Sequence, residues 1–385
     1  MRPFTSATER ELAEAVRTFA RGLEDRIAAA EEAGRFPREV IGELAALGVL
    51  GLTVPEADGG LGASAVAFAL VLEELAAVWP SLAVGVAVNS GIVAGTIVRL
   101  GTPAQRASLL PQVLDGGGLA GFCLTEPSSG SDAASLRSTA RRDGSGWVID
   151  GTKLFVTNAR YAPFLIVLAR VGAASPERPH AGITAFVVPT DAPGVAIGPN
   201  EKKTGLLASE TSTVTLAGAR VDADAMLGTE GRAFGEVAMA GLDSGRIGIA
   251  AQAVGIARGA LDRACAYARE RRQFGKPIAS FQAVRFSLAE ARTQLEAARL
   301  LTLRAAARKD AGLPFTREAA EAKLYASEMA NRVTYAAVQV FGGYGYMREY
   351  GVERYARDAR ATSIYEGTSE VQRMVIARAL LTEAA

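Results

Sequence analysis

The sequence has a single histidine in 385 residues, two cysteines and almost no excess of charge of either sign. Each scarcity removes a class of chemistry. The one histidine, His180, lies in the loop-like run SPERPHAG, which excludes most zinc sites, histidine triads and histidine-based acid catalysis. Cys123 and Cys265 sit singly inside apolar stretches, and the N-terminus lacks the basic-then-apolar pattern of a secretory signal, so a reducing, cytoplasmic setting is expected. Lys plus Arg total 42 against 41 for Asp plus Glu, which offers no general electrostatic footprint for nucleic acid or an anionic membrane. The longest apolar tracts, 63–71 and 247–257, are interrupted well short of the ~20 residues that cross a bilayer, so no span and no membrane insertion are expected. Carboxylates, hydroxyls and a bound cofactor remain as sources of chemistry.

The length exceeds what one hydrophobic core usually serves, so two or three packed units are expected. From Thr5 to Leu119 the pattern is helical: Leu12, Val16, Phe19, Leu23 and Ile27 recur at three- and four-residue steps along one face. The runs VPEADGGLGAS, VWPS and LGTPAQ punctuate the later helices. From Ala120 to about Leu227 short β-rich runs take over, among them GWVID, KLFVTN, FLIVLAR, ITAFVVP and STVTLAG. Strands grouped between helices, without βα alternation, argue against a doubly wound nucleotide-binding sheet. Beyond Gly231 no proline occurs between Ala233 and Phe274, which allows a helix of roughly 40 residues, about 60 Å. Periodic stretches at 279–310, 316–341 and 368–383 complete a four-helix bundle whose remaining apolar faces would be buried against another subunit. The expected fold is multi-domain α+β: an N-terminal all-α domain (1–119), a central β-barrel or sandwich (120–228) and a C-terminal four-helix bundle (229–385).

Six segments carry chemical information. Phe122-Cys-Leu-Thr-Glu-Pro-Ser-Ser-Gly-Ser-Asp132 runs from a strand end into a loop dense in hydroxyls and backbone donors, with Thr125 and Ser131 able to meet the oxygens of a polar ligand or a phosphate. An ordinary Ser- and Gly-rich turn has the same composition. Gly151 to Asn158 reads as a strand with Phe155 and Thr157 on one side, a ring and a hydroxyl suited to a flat heteroaromatic ligand or simply to a barrel core. Within the long helix, Asp243 and Arg246 share a face and could pair as a surface salt bridge. Arg271-Arg-Gln-Phe-Gly-Lys276 ends that helix, where a guanidinium could grip a pyrophosphate or cap the helix dipole. Gln339-Val-Phe-Gly-Gly-Tyr-Gly-Tyr346 follows a helix, so its glycines are not a dinucleotide fingerprint; three in four positions suit close approach of a cofactor. A sixth stretch, Ile364-Tyr-Glu-Gly-Thr-Ser-Glu370, places Glu366 in a short link where a carboxylate can face a pocket or water, and Thr368 can cap the following helix.

In this order and at these separations the segments resemble the acyl-CoA dehydrogenase family over essentially the whole chain, closest in wording to its short-chain and short-branched-chain members. TEPSSGSD resembles one family signature, Gln339 to Asp358 the second, and IYEGT the stretch carrying the base in straight-chain members. The resemblance implies FAD as cofactor, with Phe122, Leu124, Thr125, Ser131, Phe155, Val156 and Thr157 lining the isoalloxazine and upper phosphate region. Arg271, Gln273, Phe274 and Gln282, with Gln339, Val340, Gly342 and Gly343, would hold the pyrophosphate and adenosine across a subunit boundary. Gly367, Thr368 and Glu370 would complete the adenosine pocket. The same resemblance implies that Ser131, Asp243, Arg246, Tyr365, Glu366 and Gly367 contact an acyl-CoA substrate, and that Glu366 abstracts its α-proton.

Phe155 replaces the tryptophan often found beside the flavin, and Gly245 occupies the position where isovaleryl-type members place their base. The implied reaction is α,β-dehydrogenation to a trans-2-enoyl-CoA, with electrons passed to an electron-transfer flavoprotein by a homo-oligomer, a tetramer built as a dimer of dimers. A flavin oxidase and a flavin-free helical assembly protein are the alternatives. Peroxide production and purification colour separate them from the dehydrogenase.

Overall fold

The computed structural model describes residues 5–174 and 177–382. Its first region is helical: α1 (Ala7–Arg21), α2 (Glu24–Ala33), α3 (Arg38–Ala46), α4 (Ala65–Val78), α5 (Pro80–Val86), α6 (Gly95–Leu100) and α7 (Pro103–Leu114). The starts follow from local chemistry. Ser6 with Glu9, and Thr102 with Gln105, form reciprocal capping boxes on α1 and α7. The first N–H groups of α4, at Ala65 and Val66, are taken by the Asp310 carboxylate at 2.6 and 3.1 Å, an anion placed at the positive helix end.

A π-helical segment, Ala87–Ala94, joins α5 to α6, so Pro80–Leu100 forms one helical run of 21 residues. By length and composition alone this run could cross a membrane, which the sequence reading of the apolar tracts does not anticipate. Most of it is buried inside the fold. Its polar residues find partners there: Asn89 donates to the Val113 carbonyl and accepts from the Ala120 N–H, and Ser90 donates to the Leu50 carbonyl.

The central region has β1 (Gly121–Cys123), β2 (Thr139–Asp143), β3 (Gly146–Thr157), β4 (Phe164–Val171), β5 (Ile183–Pro189), β6 (Val195–Asn200), β7 (Thr211–Val221) and β8 (Met226–Leu227) in a single sheet. The strand order is β6-β7-β3-β2-β4-β5-β8, and β1 pairs with β4 in parallel. The sheet curls over a shared interior: Trp147, Ile149 and Val214 of β3 and β7 pack with Leu165, Val167 and Phe186 of β4 and β5. The outer face of β4 and β5 carries Phe164, Ile166, Leu168 and Val187 into a second cluster with Val88, Val93 and Ile97 of the helical region. A strand buried on both faces reads as a continuous apolar run, which is what FLIVLARV shows.

The third region begins with a π-helical segment, Phe234–Met239, leading into α8 (Ala240–Glu270). This run matches the expected proline-free helix but stops before 274. There β9 (Arg272–Gln273) and β10 (Lys276–Pro277) close a small hairpin. α9 (Gln282–Asp310) and α10 (Thr316–Phe341) follow, then α11 (Val352–Thr362), not foreseen as a separate helix, and α12 (Ser369–Thr382). α8, α9 and α10 pack on one another, and α4 of the first region packs on α8, so the two helical regions share one core. Two glycines make this close approach necessary. A Cβ on Gly255 or Gly259 would overlap the backbone carbonyls of Glu73 and Ala77 on α4. Glu73 and Glu74 of the same helix are buried among Arg17, Arg258 and Arg299, with bidentate bonds of 2.7 and 2.9 Å from Arg299 to Glu73.

Candidate active site

Glu366 lies in the short link between α11 and α12. The chain must reverse within a few residues, and it does so through left-handed backbone: φ is +53° at Glu366 and +90° at Gly367. Glycine adopts that conformation freely, whereas a glutamate there stores strain of order 1–3 kcal/mol, the kind of outlier that clusters at functional sites. Thr368 Oγ1 accepts from the Val371 N–H at 3.3 Å, so this threonine does cap α12. The Ser369 N–H closes the link on the Ser363 carbonyl at 3.1 Å.

The Glu366 side chain points at α8. Its Oε2 is shielded from solvent and has no hydrogen-bond partner among the described residues. A Cβ on Gly245 would overlap this oxygen, so the absent side chain of Gly245 is the space that the carboxylate uses. Burial pushes the Glu366 carboxyl up to about 7, against the opposing pull of Lys323 and Arg246. Arg246 pairs with Asp243, whose other oxygen accepts from Thr316 Oγ1 at 2.6 Å. That pair is not the surface salt bridge considered from the sequence. Arg246 is only 4 % exposed, because α10 and the 363–368 link cover this face of α8, and its Nε is another buried atom without a partner among the described residues. Burial holds the Arg246 guanidinium below its ordinary range, Asp243 and Glu366 pulling the other way. Tyr365 donates its hydroxyl to Gln252, whose amide donates to the Pro80 carbonyl at 3.0 Å.

Two residues at this site were not singled out in the sequence. Lys323 of α10 is fully buried and donates to the Gly367 carbonyl at 2.7 Å; Gln372 of α12 donates to the same carbonyl at 2.9 Å and to that of Glu366 at 3.3 Å. A signal for Lys323 existed. It falls on the stripe of α10 that carries Ala319, Ala326 and Ala330, where a charge is out of place.

The β-region residues form a second group. The TEPSSGSD loop is an ordered turn: Glu126 and Ser129 exchange two backbone bonds, and the Glu126 carboxylate accepts from the N–H groups of Arg137 and Ser138. Lys153, fully buried, pairs with Glu126 at 2.7 Å and donates to the Leu124 carbonyl at 3.3 Å. The Thr125 carbonyl accepts from the Leu154 N–H at 2.9 Å, tying the loop to β3.

β3 carries a bulge against β7 between Lys153 and Val156. Strict alternation would set Lys153 beside Phe155 and Thr157. The extra residue instead turns Lys153 and Val156 into the interior and leaves Phe155 outside, 64 % exposed and at φ +56°. Val156 therefore offers only its backbone to a ligand. Phe122, Leu124, Thr125 and Thr157 are half-buried, and Ser131 is exposed.

The third group lines an open groove of about 590 Å³ between the end of α8 and the turn after α10, walled by Arg271, Gln273, Val340, Gly342, Gly343 and Tyr344 among others. The Arg271 guanidinium lies 5.2 Å from the centre of the Tyr344 ring. Gly342 has φ +62° and ψ −137°, backbone open essentially only to glycine, and among the described residues nothing stands within 4 Å of the place of a side chain on Gly342 or Gly343. Gln282, Gln339 and Phe274 are exposed nearby in sequence, Phe274 at 91 % and in left-handed backbone; Glu370 is exposed on α12. Arg271 follows the far end of α8 from Gly245. At 1.5 Å per residue that is roughly 38 Å, too far for one dinucleotide to reach from groove to carboxylate within a subunit.

The Glu366 carboxylate thus sits in left-handed backbone with one oxygen shielded against a helix glycine. Family models for the acyl-CoA dehydrogenase N-terminal, middle and C-terminal domains match residues 6–117, 121–219 and 235–381. The chain belongs to the acyl-CoA dehydrogenase family. The short-chain specific acyl-CoA dehydrogenase of Bos taurus mitochondria is 44 % identical over 347 residues, 90 % of this chain and 83 % of that protein. The structure of butyryl-CoA dehydrogenase from Megasphaera elsdenii superposes with a TM-score of 0.94 at 40 % identity, covering 98 % of this chain and 99 % of that one. A glutaryl-CoA dehydrogenase from Mycobacterium smegmatis, solved in complex with FADH2, gives a TM-score of 0.93 at 32 % identity over 100 % of this chain and 97 % of that one. The helical, β-sheet and helical regions of this chain are those of an acyl-CoA dehydrogenase, and the chain is a flavoprotein oxidoreductase of that family.

Proposed function

We propose that this protein dehydrogenates a short-chain acyl-CoA between its α and β carbons, with Glu366 as the base. The observation that carries the reading is the Glu366 carboxylate: its Oε2 is shielded from solvent, has no hydrogen-bond partner among the described residues and lodges against Gly245, and burial raises the group to about 7. A base works best when its pKa lies near the working pH, and this one needs no second group to receive the α-proton. The residues also fit FAD. The Arg271 groove, with its bare Gly342 and Gly343, suits a pyrophosphate and the adenosine of a neighbouring subunit's cofactor. Phe122, Leu124, Thr125, Ser131, Phe155 and Thr157, with the Val156 backbone, would line the ring. When bound, FAD supplies the acceptor for the hydride that leaves the β-carbon.

This chain's own contribution is orientation and charge. Glu366 takes the α-proton, and the Glu366 N–H, which makes no backbone hydrogen bond among the described residues, is available to the thioester oxygen as charge builds there. Asp243 and Arg246 keep the approach to the carboxylate ordered and Ser131 meets the acyl-CoA from the β side. Gly367, Thr368 and Glu370 would flank the adenosine. A short acyl group is supported by the likeness to short-chain relatives and by Gln252. Seven residues beyond Gly245 on one face of α8, about 10 Å away, Gln252 is pinned between Tyr365 and Pro80.

The exposed Phe274 of the β9–β10 hairpin, with Phe286, Tyr335, Met374 and Leu381 along the C-terminal helices, suits burial in a homotetramer. An electron-transfer flavoprotein then carries the electrons away from a cytoplasmic enzyme. The test is anaerobic titration of purified yellow protein with butyryl-CoA and longer acyl-CoAs. Bleaching strongest with the short thioesters supports the reading. A colourless protein that takes up no FAD, or yellow protein bleached by none of them, refutes it.

A further inference from the structure

Lys323 has no place in the chemistry described so far, and its position is costly. Its side chain is fully buried in α10, and no carboxylate stands within ion-pair distance of it among the described residues. Its one hydrogen bond there runs to the Gly367 carbonyl at 2.7 Å. An ammonium out of water without a paired anion is strongly disfavoured, so a lysine retained there calls for a compensating role. Tethering alone does not account for it. Gln372 already donates to the same carbonyl at 2.9 Å with a neutral amide of nearly the same reach.

Lys323 faces the left-handed turn that presents Glu366. From the Glu366–Gly367 proposal above, we propose that Lys323 is a positioning residue for the base: it clamps the Gly367 carbonyl to hold the turn, and its buried charge lets the neighbouring Glu366 carboxylate ionise. The balance of forces agrees. Burial holds the ammonium down to about 8, Glu366 pulling upward and Arg246 pushing downward, while Lys323 is the foremost influence opposing the rise of the Glu366 carboxyl. The other charges on this cluster are Asp243, which pairs with Arg246 on α8, Glu328 on α10 and Glu370 on α12; Tyr365, in the link itself, is half-buried and neutral. The division of labour follows. Gln372 and Lys323 share the task of geometry, and Lys323 alone adds charge.

The test compares Lys323→Gln, Lys323→Arg and Gln372→Leu in the flavin-loaded enzyme. Two readouts are taken: the pH profile of kcat/KM with butyryl-CoA, and the pH midpoint of the protonated-carboxyl infrared band that Glu366→Gln abolishes. Lys323→Gln is expected to move both midpoints upward by about one pH unit or more. Lys323→Arg should restore the midpoints, and Gln372→Leu should lower activity at every pH without moving them. The inference is overturned if Lys323→Gln leaves the midpoints in place, or if Gln372→Leu moves them equally. Should Lys323→Gln fail to fold, an upward-shifted midpoint in Lys323→Arg overturns it and an unmoved one supports it. The infrared band needs no turnover. An enzyme that bleaches with no acyl-CoA would sink the dehydrogenase reading and still report on Lys323.

Discussion

Replacing Glu366 by glutamine separates what the carboxylate does for chemistry from what it does to the fold. Burial raises this group from the ordinary 4.5 to about 7. At about 1.4 kcal/mol per pH unit, that gap amounts to about 3 kcal/mol by which the folded protein disfavours the charged form. Between pH 4.5 and 7 the folded state binds more protons than the unfolded state, so stability falls as pH rises through that window. Below it both states are protonated and the cost vanishes; above it the cost is complete. Glutamine keeps the shape and removes the charge.

Glu366→Gln should therefore melt at the parent's temperature near pH 4.5 and several degrees above it at pH 8. Its turnover should fall by a factor of at least 10² to 10⁴ at every pH, with flavin content unchanged. The assays are paired thermal melts and steady-state rates across that range. A melting difference that does not vary with pH would refute the burial argument, and near-parent turnover would move the base elsewhere.

Other perturbations probe separate supports. Gly245→Ala fills the space occupied by Glu366 Oε2 while favouring the helix by about 1 kcal/mol, so turnover should drop about 100-fold with flavin retained and melting temperature held; a fully active variant would show that the carboxylate does not need that place. Arg271→Ala should lose FAD on dilution or gel filtration and leave the pH profile of the remaining holoenzyme unchanged; full flavin content would reduce Arg271 to a helix-end cation. Lys153→Met strands the Glu126 carboxylate inside the β region, at an expected cost of about 3–5 kcal/mol read as a lower melting temperature, and an unchanged melt would refute the pairing.

Much of this arrangement was legible in the chain. Periodicity and the missing prolines gave the helix through 240–270, and β-branched runs between turn residues gave the central strands. Thr368 was readable as a cap and is one. Three features were not legible, for one reason. The buried state of Asp243–Arg246, the bulge that turns Lys153 inward and the coverage of Pro80–Leu100 each depend on what a distant segment places alongside.

Sequence alone determined the order of the regions and the chemical inventory: one carboxylate in a glycine-flanked link, one guanidinium at a helix end, glycines where side chains would obstruct. Those are local properties, set by backbone sterics and residue type. Only the tertiary structure decided which of them act together. A carboxylate becomes a base near neutral pH when packing removes its water, and that packing comes from α8, α10 and the 363–368 link, segments well separated in the chain.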